Sequence, residues 1–216
     1  AHAKQVRIIT ACLRDSIGGN FMSEKKSRST KIAVLGIFTA VTVVLQLLSY
    51  TVKIGTFNLS LVLIPIVVTA CLYGVGYSTY LGAVFGVVTV IGCVTGLDSG
   101  GYILFTASPL LTVLTCMLKS TVCGLACGAA ANALKNSGGI LRVVIPAVVA
   151  PVVNTGIFVI MMFAAFSDVL NSWAGGTNVV LYVLTGLIGV NFLIELAVNA
   201  VLSPAVFRVI KAVARL

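Results

Sequence analysis

Long apolar runs separated by short polar breaks constrain this chain more than any other feature. A helix needs about 20 mostly apolar residues to cross the hydrocarbon core of a bilayer. Six such runs lie between the polar breaks, at 32–50, 57–73, 77–95, 108–134, 140–165 and about 179–207. The last run is long enough to include a bend before its span. The pattern predicts an all-α polytopic membrane protein, a bundle of six transmembrane helices.

The low charge content supports this prediction. Hydrophobic residues make up 59% of the 216 residues and charged residues only 9%, whereas a soluble domain carries about 25% charged residues. The apolar runs recur evenly, so we expect one membrane domain over 31–216, preceded by a basic, cytoplasmic and flexible extension over 1–30. The residues after Met22 resemble the start of a bacterial membrane protein, so we expect translation to begin there.

The basic residues predict the orientation of the chain. Seven of the fourteen Lys and Arg residues lie in the first 31 positions, and cytoplasmic loops of membrane proteins are enriched in such residues. With six spans, three basic groups fall on one side, so both termini are predicted to be cytoplasmic. These groups are Lys25, Lys26, Arg28 and Lys31; Lys135 and Arg142; and Arg208, Lys211 and Arg215. Topology therefore explains the net charge of +9 better than a nucleic-acid partner does.

The opposite face receives the remaining loops. It carries Lys53, Asp98 and Asp168, together with two glycine-rich loops at 96–102 and 166–178. We expect these loops to form the outer mouth of the protein, with Asp98 among the residues that contact a substrate.

Small residues four apart recur within the spans. The pairs are Gly36 and Ala40, Gly82 and Gly86, and Gly124 and Gly128. Such pairs let membrane helices approach closely. They are consistent either with packing inside the bundle or with the docking of a partner protein.

Two charged residues, Lys119 and Glu195, lie deep inside apolar runs. An ionised group at that depth costs roughly 2.5 to 3.5 kcal/mol, so each needs a partner or a watery cavity. They could form a structural ion pair. Alternatively, Lys119 neutralises an anionic substrate and Glu195 accepts hydrogen bonds from its polar groups.

Polar residues on three helices could converge near these charges. Asn191, Glu195 and Asn199 recur every fourth residue, which places them on one stripe of the sixth helix. Thr112 and Thr115 share a face with Lys119 on the fourth helix, and Asn154 lies within the fifth. Ordinary interhelical hydrogen bonds could explain each residue singly. Together with the charges they predict a substrate-binding pocket among apolar walls.

Several catalytic and cofactor motifs are missing from the sequence. The only histidine is His2, outside every predicted span, so an embedded metalloprotease or Ser-His hydrolase lacks its base or ligand. No run matches the phosphate-binding loop of nucleotide hydrolases, and the cysteines within the spans lack the spacing of a metal site. We therefore expect neither enzymatic activity nor a metal or other cofactor.

Three stretches of this sequence resemble the substrate-binding (S) components of energy-coupling-factor (ECF) transporters, the vitamin importers of prokaryotes. Residues 61–65 (LVLIP), 72–74 (LYG) and 82–86 (GAVFG) are similar to the second and third helices of that family. Residues 119–124 (KSTVCG) resemble an Arg-x-x-x-x-Gly stretch of its pantothenate-type members, with Lys119 in place of Arg. Residues 191–195 (NFLIE), continuing to Pro204, resemble the sixth helix of these members, and Asn154 with Thr155 the fifth.

The resemblance implies a multi-pass protein of the prokaryotic cell membrane that captures a vitamin or related micronutrient from outside. A pantothenate-like acid fits best. The partners would be a membrane coupling protein and two cytoplasmic ATPases, which dock at small residues of the first helix. Gly36 and Ala40 occupy those positions, with Gly in place of the first Ala.

Two other interpretations remain open. Lys119 and Glu195 would form an ion or proton path in a small channel or an ion-coupled secondary transporter. The small-residue faces would also suit a membrane assembly factor that transports nothing. Dependence on partner ATPases distinguishes an ECF importer from an ion-coupled transporter.

Overall fold

A computed structural model of the protein describes residues 28–51, 53–54, 57–58, 60–135, 140–187 and 189–213. The predicted extension 1–30 lies almost entirely outside these ranges. Two compact units divide the chain, Ala1–Gly36 and Ile37–Leu216. The described residues are nearly all helical, which agrees with the predicted all-α class.

The helices follow one another with short connections. In chain order they are α1 Arg28–Ser49, α2 Leu63–Tyr73, α3 Val75–Thr95, α4 Ser99–Ala107, α5 Pro109–Ala133, α6 Leu141–Ala165, α7 Ser167–Ala174, α8 Val179–Tyr182 and α9 Gly189–Val213. A π-helical turn, Val183–Leu187, lies between α8 and α9. Two short antiparallel strands, β1 Lys53–Ile54 and β2 Phe57–Asn58, form a hairpin between α1 and α2.

Four helices among the described residues are long and apolar enough to cross a membrane. These spans are Ile32–Ser49, Val75–Thr95, Pro109–Ala133 and Leu141–Ala165. Helix α9 also has 25 residues, but several of its side chains lie outside the described set. The protein is therefore membrane-embedded, while six spans and the cytoplasmic placement of both termini remain predictions.

The second predicted span, 57–73, was wrong at its start. Phe57 and Asn58 pair with Ile54 and Lys53 as strands, and helix α2 begins only at Leu63. Ile54 and Phe57 are β-branched and aromatic residues that favour extended backbone. The 11-residue helix α2 is about 16 Å long at 1.5 Å per residue, roughly half the thickness of the hydrocarbon core.

The predicted outer loops also contain helices. Asp98 caps α4 because its carboxylate accepts a hydrogen bond from the amide of Gly101 at 3.2 Å, so much of 96–102 is the start of a helix. Helix α7 occupies most of 166–178, and its Leu170 and Ala174 are buried on one face. The glycine content had favoured loops, but a capping residue and an apolar face decide these segments.

Apolar side chains of α2, α3, α5 and α6, with Val62 just before α2, form one buried cluster, which we call the packed core. It consists of Val62, Leu63, Ile66, Val67, Ala70, Cys71, Leu81, Phe85, Cys123, Cys127, Ala131, Val143, Ala147 and Ala150. Its members on α5 lie in the C-terminal half of that helix, and its members on α6 lie in the N-terminal half. Because α5 and α6 are antiparallel neighbours, the packed core fills the end of the bundle that carries Lys135 and Arg142, the predicted cytoplasmic end.

Glycines set the contact between α3 and α5. A Cβ on Gly82 would overlap the carbonyl oxygen of Ser120, and one on Gly124 would overlap that of Ser78. Gly86 and Gly128 face the opposite helix in the same way. Two of the three predicted pairs therefore serve internal packing, with the backbones too close for side chains between them.

Candidate functional site

A cavity adjoins the packed core on the side toward the other end of the bundle, and Phe85 borders both. Its volume is about 820 Å³, including the open space at its mouth. Its walls come from the C-terminal part of α3, the N-terminal part of α5 and the C-terminal part of α6. Residues of α1, α4 and α9 and Ser60 before α2 complete the lining. About 80 Å³ of this space is open to the centres of water-sized molecules, which is enough for several waters or a small ligand.

Lys119 is the cation of the described cavity lining. It projects from α5 and is partly buried, with its Nζ atom 5.1 Å from the centroid of the Phe158 ring on α6. The negative face of an aromatic ring attracts a cation at this distance. Within the described residues, Lys119 makes no ion pair of 4.0 Å or shorter. The structure therefore does not show the direct Lys119–Glu195 pair that the sequence left open.

Glu195 is a buried carboxylate on α9, with 6% of its surface exposed. Its Oε1 accepts a hydrogen bond from the backbone amide of Ser60 at 2.8 Å. No described cation lies within 4.0 Å of it. A buried charge is costly unless it is paired and hydrogen-bonded, so Glu195 retains the capacity to bind a donor or a cation from the cavity.

Two carboxamides in the lining have buried oxygens without a described hydrogen-bond partner. They are Gln46 of α1 and Asn154 of α6, whose side chains are 5% and 4% exposed. A buried acceptor without a donor costs roughly 1 to 3 kcal/mol. Both residues line the cavity, so a bound molecule is placed to supply the missing donors.

Three threonines in the lining have already used their hydroxyl protons. Thr89, Thr112 and Thr115 donate to carbonyls of their own helices at 2.8, 2.9 and 2.7 Å. A hydroxyl has one proton and two acceptor lone pairs. These threonines can therefore only accept hydrogen bonds from a molecule in the cavity.

The apolar part of the lining consists mainly of aromatic rings and thiols. Phe85, Phe158 and Phe192 contribute rings from α3, α6 and α9. Cys93 and Cys116 are both buried, with their sulfur atoms 3.9 Å apart between α3 and α5. The cavity thus combines flat apolar surfaces, which suit a ring or a methylene chain, with polar groups from different helices.

The structure brings together five of the seven predicted substrate-binding residues. Lys119, Asn154, Glu195, Thr115 and Asp98 all line the cavity. Asn199 is buried but lies outside the lining, where its amide donates to the backbone carbonyl of Glu195 at 2.8 Å. The spacing of four residues between Glu195 and Asn199 correctly predicted that both lie on the buried face of α9. It did not predict how far along α9 the cavity extends. The side chain of Asn191 lies outside the described set.

Sequence reasoning missed several lining residues. Gln46 belongs to a buried polar stripe of α1 with Thr42 and Ser49, and that spacing of three and four residues was a readable signal. Ser60 had no such signal, because its position depends on the hairpin before α2. Phe192 could not be told from an ordinary lipid-facing phenylalanine.

The predicted docking pair has an open environment. Gly36 and Ala40 are both exposed, and a Cβ added at Gly36 would meet no heavy atom within 4 Å. In this respect the pair differs from the glycines between α3 and α5. Its surroundings are those expected for residues that face lipid or another protein.

No protein-family model, curated protein or solved structure matches this chain. The ECF resemblance therefore rests only on the stretches quoted above and remains a proposal.

Proposed function

We propose that this chain is the substrate-binding membrane subunit of an ECF-type importer, which captures a vitamin or related micronutrient from outside the cell. The observation that carries this proposal is the cavity, in which polar side chains from several helices face one space inside a membrane-embedded bundle. Residues that served only the contacts between helices would pair with one another. Here Lys119 has no described ion-pair partner, Glu195 accepts hydrogen bonds from Ser60 but has no described cation within 4.0 Å, and the Asn154 oxygen has no described donor.

The arrangement along the bundle supports capture from one side. The cavity lies at the end that carries α4 and α7, where the predicted topology places the cell exterior. The packed core closes the opposite end. A substrate bound in such a cavity cannot pass through the chain without rearrangement, which is why a partner module of one coupling protein and two ATPases belongs to the proposal. Gly36 and Ala40 are the proposed contacts with the coupling protein.

A second candidate is a small ion-coupled secondary transporter or channel. The observation that favours it is Glu195, a buried carboxylate with no described counter-ion, since such residues mark ion and proton paths in membrane proteins. The two candidates differ in energy source. Uptake by an ECF importer requires the partner ATPases, whereas an ion-coupled transporter stops when an uncoupler dissipates the ion gradient.

The decisive experiment has two steps. The chain is purified in mild detergent, and mass spectrometry identifies any small molecule that remains bound through chromatography. Uptake of that molecule is then measured in cells that express the chain with or without a coupling protein and its ATPases. Retention of a single small molecule with ATPase-dependent uptake supports the proposal. Uptake by the chain alone that an uncoupler abolishes would replace it with the second candidate.

A further inference from the structure

The cavity lining is rich in hydrogen-bond acceptors and holds two carboxyl groups for one lysine. Its ionisable residues besides the thiols are Lys119, Asp98 and Glu195. The carboxamide oxygens of Gln46 and Asn154 lack described donors. Three of the four threonines in the lining, Thr89, Thr112 and Thr115, donate their hydroxyl protons within their own helices. A simple carboxylic acid would satisfy Lys119 but would leave Glu195 without a counter-ion.

We infer that the ligand is a small zwitterion, with an ammonium or similar cationic nitrogen that binds near Glu195 and an acidic group that binds near Lys119. This inference rests on the proposed function and narrows its substrate class. It departs from the purely acidic ligand that the family resemblance implies.

The carboxylate of Glu195 is the main reason for the cationic group. It is buried, and the hydrogen bonds that it accepts come from the backbone amide and the side chain of Ser60, which carry no net charge. A buried carboxylate without a counter-ion is strongly destabilised. The N–H groups of a ligand ammonium would supply the missing charge, and other donors on the ligand would reach Gln46 and Asn154.

Lys119 is the reason for the acidic group. The Phe158 ring contacts its ammonium, but an aromatic ring has no oxygen lone pairs to accept hydrogen bonds as a carboxylate does. An ammonium carries three donors, and no described carboxylate lies within 4.0 Å of this one. A ligand carboxylate would accept these hydrogen bonds and balance the charge, while Phe85 and Phe192 cover the apolar body between the two ends.

Three probes of similar size and shape test the inference. They are 4-(aminomethyl)benzoic acid, a zwitterion; 4-methylbenzylamine, a cation; and 4-methylbenzoic acid, an anion. Their affinities for the purified full chain in lipid nanodiscs are measured by ligand-observed NMR at constant ionic strength. We expect the zwitterion to bind most tightly and the anion most weakly. The ranking uses the parent chain, so it does not depend on the folding of any variant.

Two variants then assign each end of the ligand. Glu195→Gln should weaken both aminated probes by about 10- to 100-fold, the range expected for loss of a charged contact. The same change should strengthen the binding of 4-methylbenzoic acid, because its carboxylate no longer shares the cavity with that of Glu195. Lys119→Met should remove the advantage of the zwitterion over the cation. Asp168→Asn and Lys135→Met are the matched controls, because both side chains are exposed and lie outside the cavity lining.

The outcomes separate this inference from the proposed function. If 4-methylbenzoic acid binds the parent chain as tightly as 4-(aminomethyl)benzoic acid, the ligand is not a zwitterion, although a small molecule retained during purification would still support the binding subunit. If Glu195→Gln folds and binds the aminated probes as tightly as the parent, the placement of the cation is wrong. If the chain binds no probe at millimolar concentration and retains no small molecule, both proposals fail.

Discussion

The two ends of this bundle differ in how closely their helices pack. In the packed core, small and apolar side chains bring α3 and α5 into backbone contact at Gly82 and Gly124. At the cavity end, the same two helices carry Thr89, Thr112 and Lys119 and leave space between them. Van der Waals packing drives helix association in lipid, so the packed core stabilises the fold. The cavity end gives up such contacts and retains buried polar groups that a ligand could satisfy.

The largest effect is expected at Gly124 in the packed core. In Gly124→Leu, the Cβ overlaps the carbonyl oxygen of Ser78, and backbone cannot move aside as a flexible side chain can. Overpacking usually costs about 1 to 3 kcal/mol and occasionally more, so we expect little monodisperse protein on size-exclusion chromatography. Gly156→Leu is the matched control, because a Cβ at this helical glycine meets nothing within 4 Å. Equal yields of the two variants would contradict the role of the α3–α5 contact.

The predicted orientation places the two ends of the bundle on opposite sides of the membrane, so labelling from outside should reach one end and not the other. Helix α6 separates Lys135 from Thr177, and both residues are exposed. In intact cells, a membrane-impermeant maleimide should label Thr177→Cys and should not label Lys135→Cys until the membrane is opened. The parent chain controls for its native thiols. Labelling of Lys135→Cys from outside would reverse the predicted orientation and would place the cavity on the cytoplasmic side.

The sequence predicted the long helices better than it predicted the residues that line the cavity. Apolar periodicity located α3, α5 and α6 to within two residues, because long apolar helices depend on local composition. The glycine pairs were visible, but only the structure separates Gly124, which contacts α3, from Gly36, which is open. Lys119, Glu195 and Asn154 stood out because polar groups are costly in apolar spans. Gln46 could have been found from the buried polar stripe of α1, whereas Ser60 reaches the cavity through the hairpin, which no helical pattern encodes.

A loss of uptake of at least about tenfold is expected for Gly36→Leu, if the first helix docks on a coupling protein. The exposed pair Gly36 and Ala40 belongs to neither the packed core nor the cavity lining, so folding and ligand binding should remain as in the parent. Small residues allow close helix approach, and leucine blocks it. Binding by the purified chain and ATPase-dependent uptake are measured in parallel. Normal uptake with the leucine in place would show that this surface contacts only lipid.

A smaller effect is expected from the thiol pair in the cavity wall. Cys93 and Cys116 have sulfur atoms 3.9 Å apart, and a disulfide requires about 2.05 Å, which small side-chain rotations can provide. Diamide should accept the two hydrogens and two electrons of the thiols and become a hydrazine while the disulfide forms. Mass spectrometry should find this bond in the parent and not in Cys116→Ser. Cys123 and Cys127, in the packed core, contact backbone carbonyls instead, and both should remain reduced.

Ligand affinity should fall several-fold when the disulfide forms, because the two sulfur atoms then leave their present positions in the cavity wall near Lys119. Affinity is compared before and after oxidation, and again after reduction with dithiothreitol. Unchanged affinity in the fully oxidised chain would place the ligand away from this wall.

The smallest effect is expected where a buried polar atom has no described partner. Asn154→Leu removes the Oδ1 atom that lacks a donor and keeps a side chain of similar volume. Since such an atom costs roughly 1 to 3 kcal/mol, we expect the free energy of unfolding in bicelles to rise by about 1 kcal/mol. Ligand affinity should fall, because the cavity loses an acceptor.

Ser120→Ala is the matched control at the α3–α5 contact, because the Ser120 hydroxyl is also buried without a described partner but does not line the cavity. Its removal should likewise stabilise the chain, or leave its stability unchanged, while ligand affinity stays as in the parent. The two variants thus separate an unsatisfied group that serves binding from one that does not. If Asn154→Leu raises stability and leaves ligand affinity intact, the Asn154 oxygen is an ordinary packing defect, and the contrast between the two ends of the bundle loses its functional meaning at that residue.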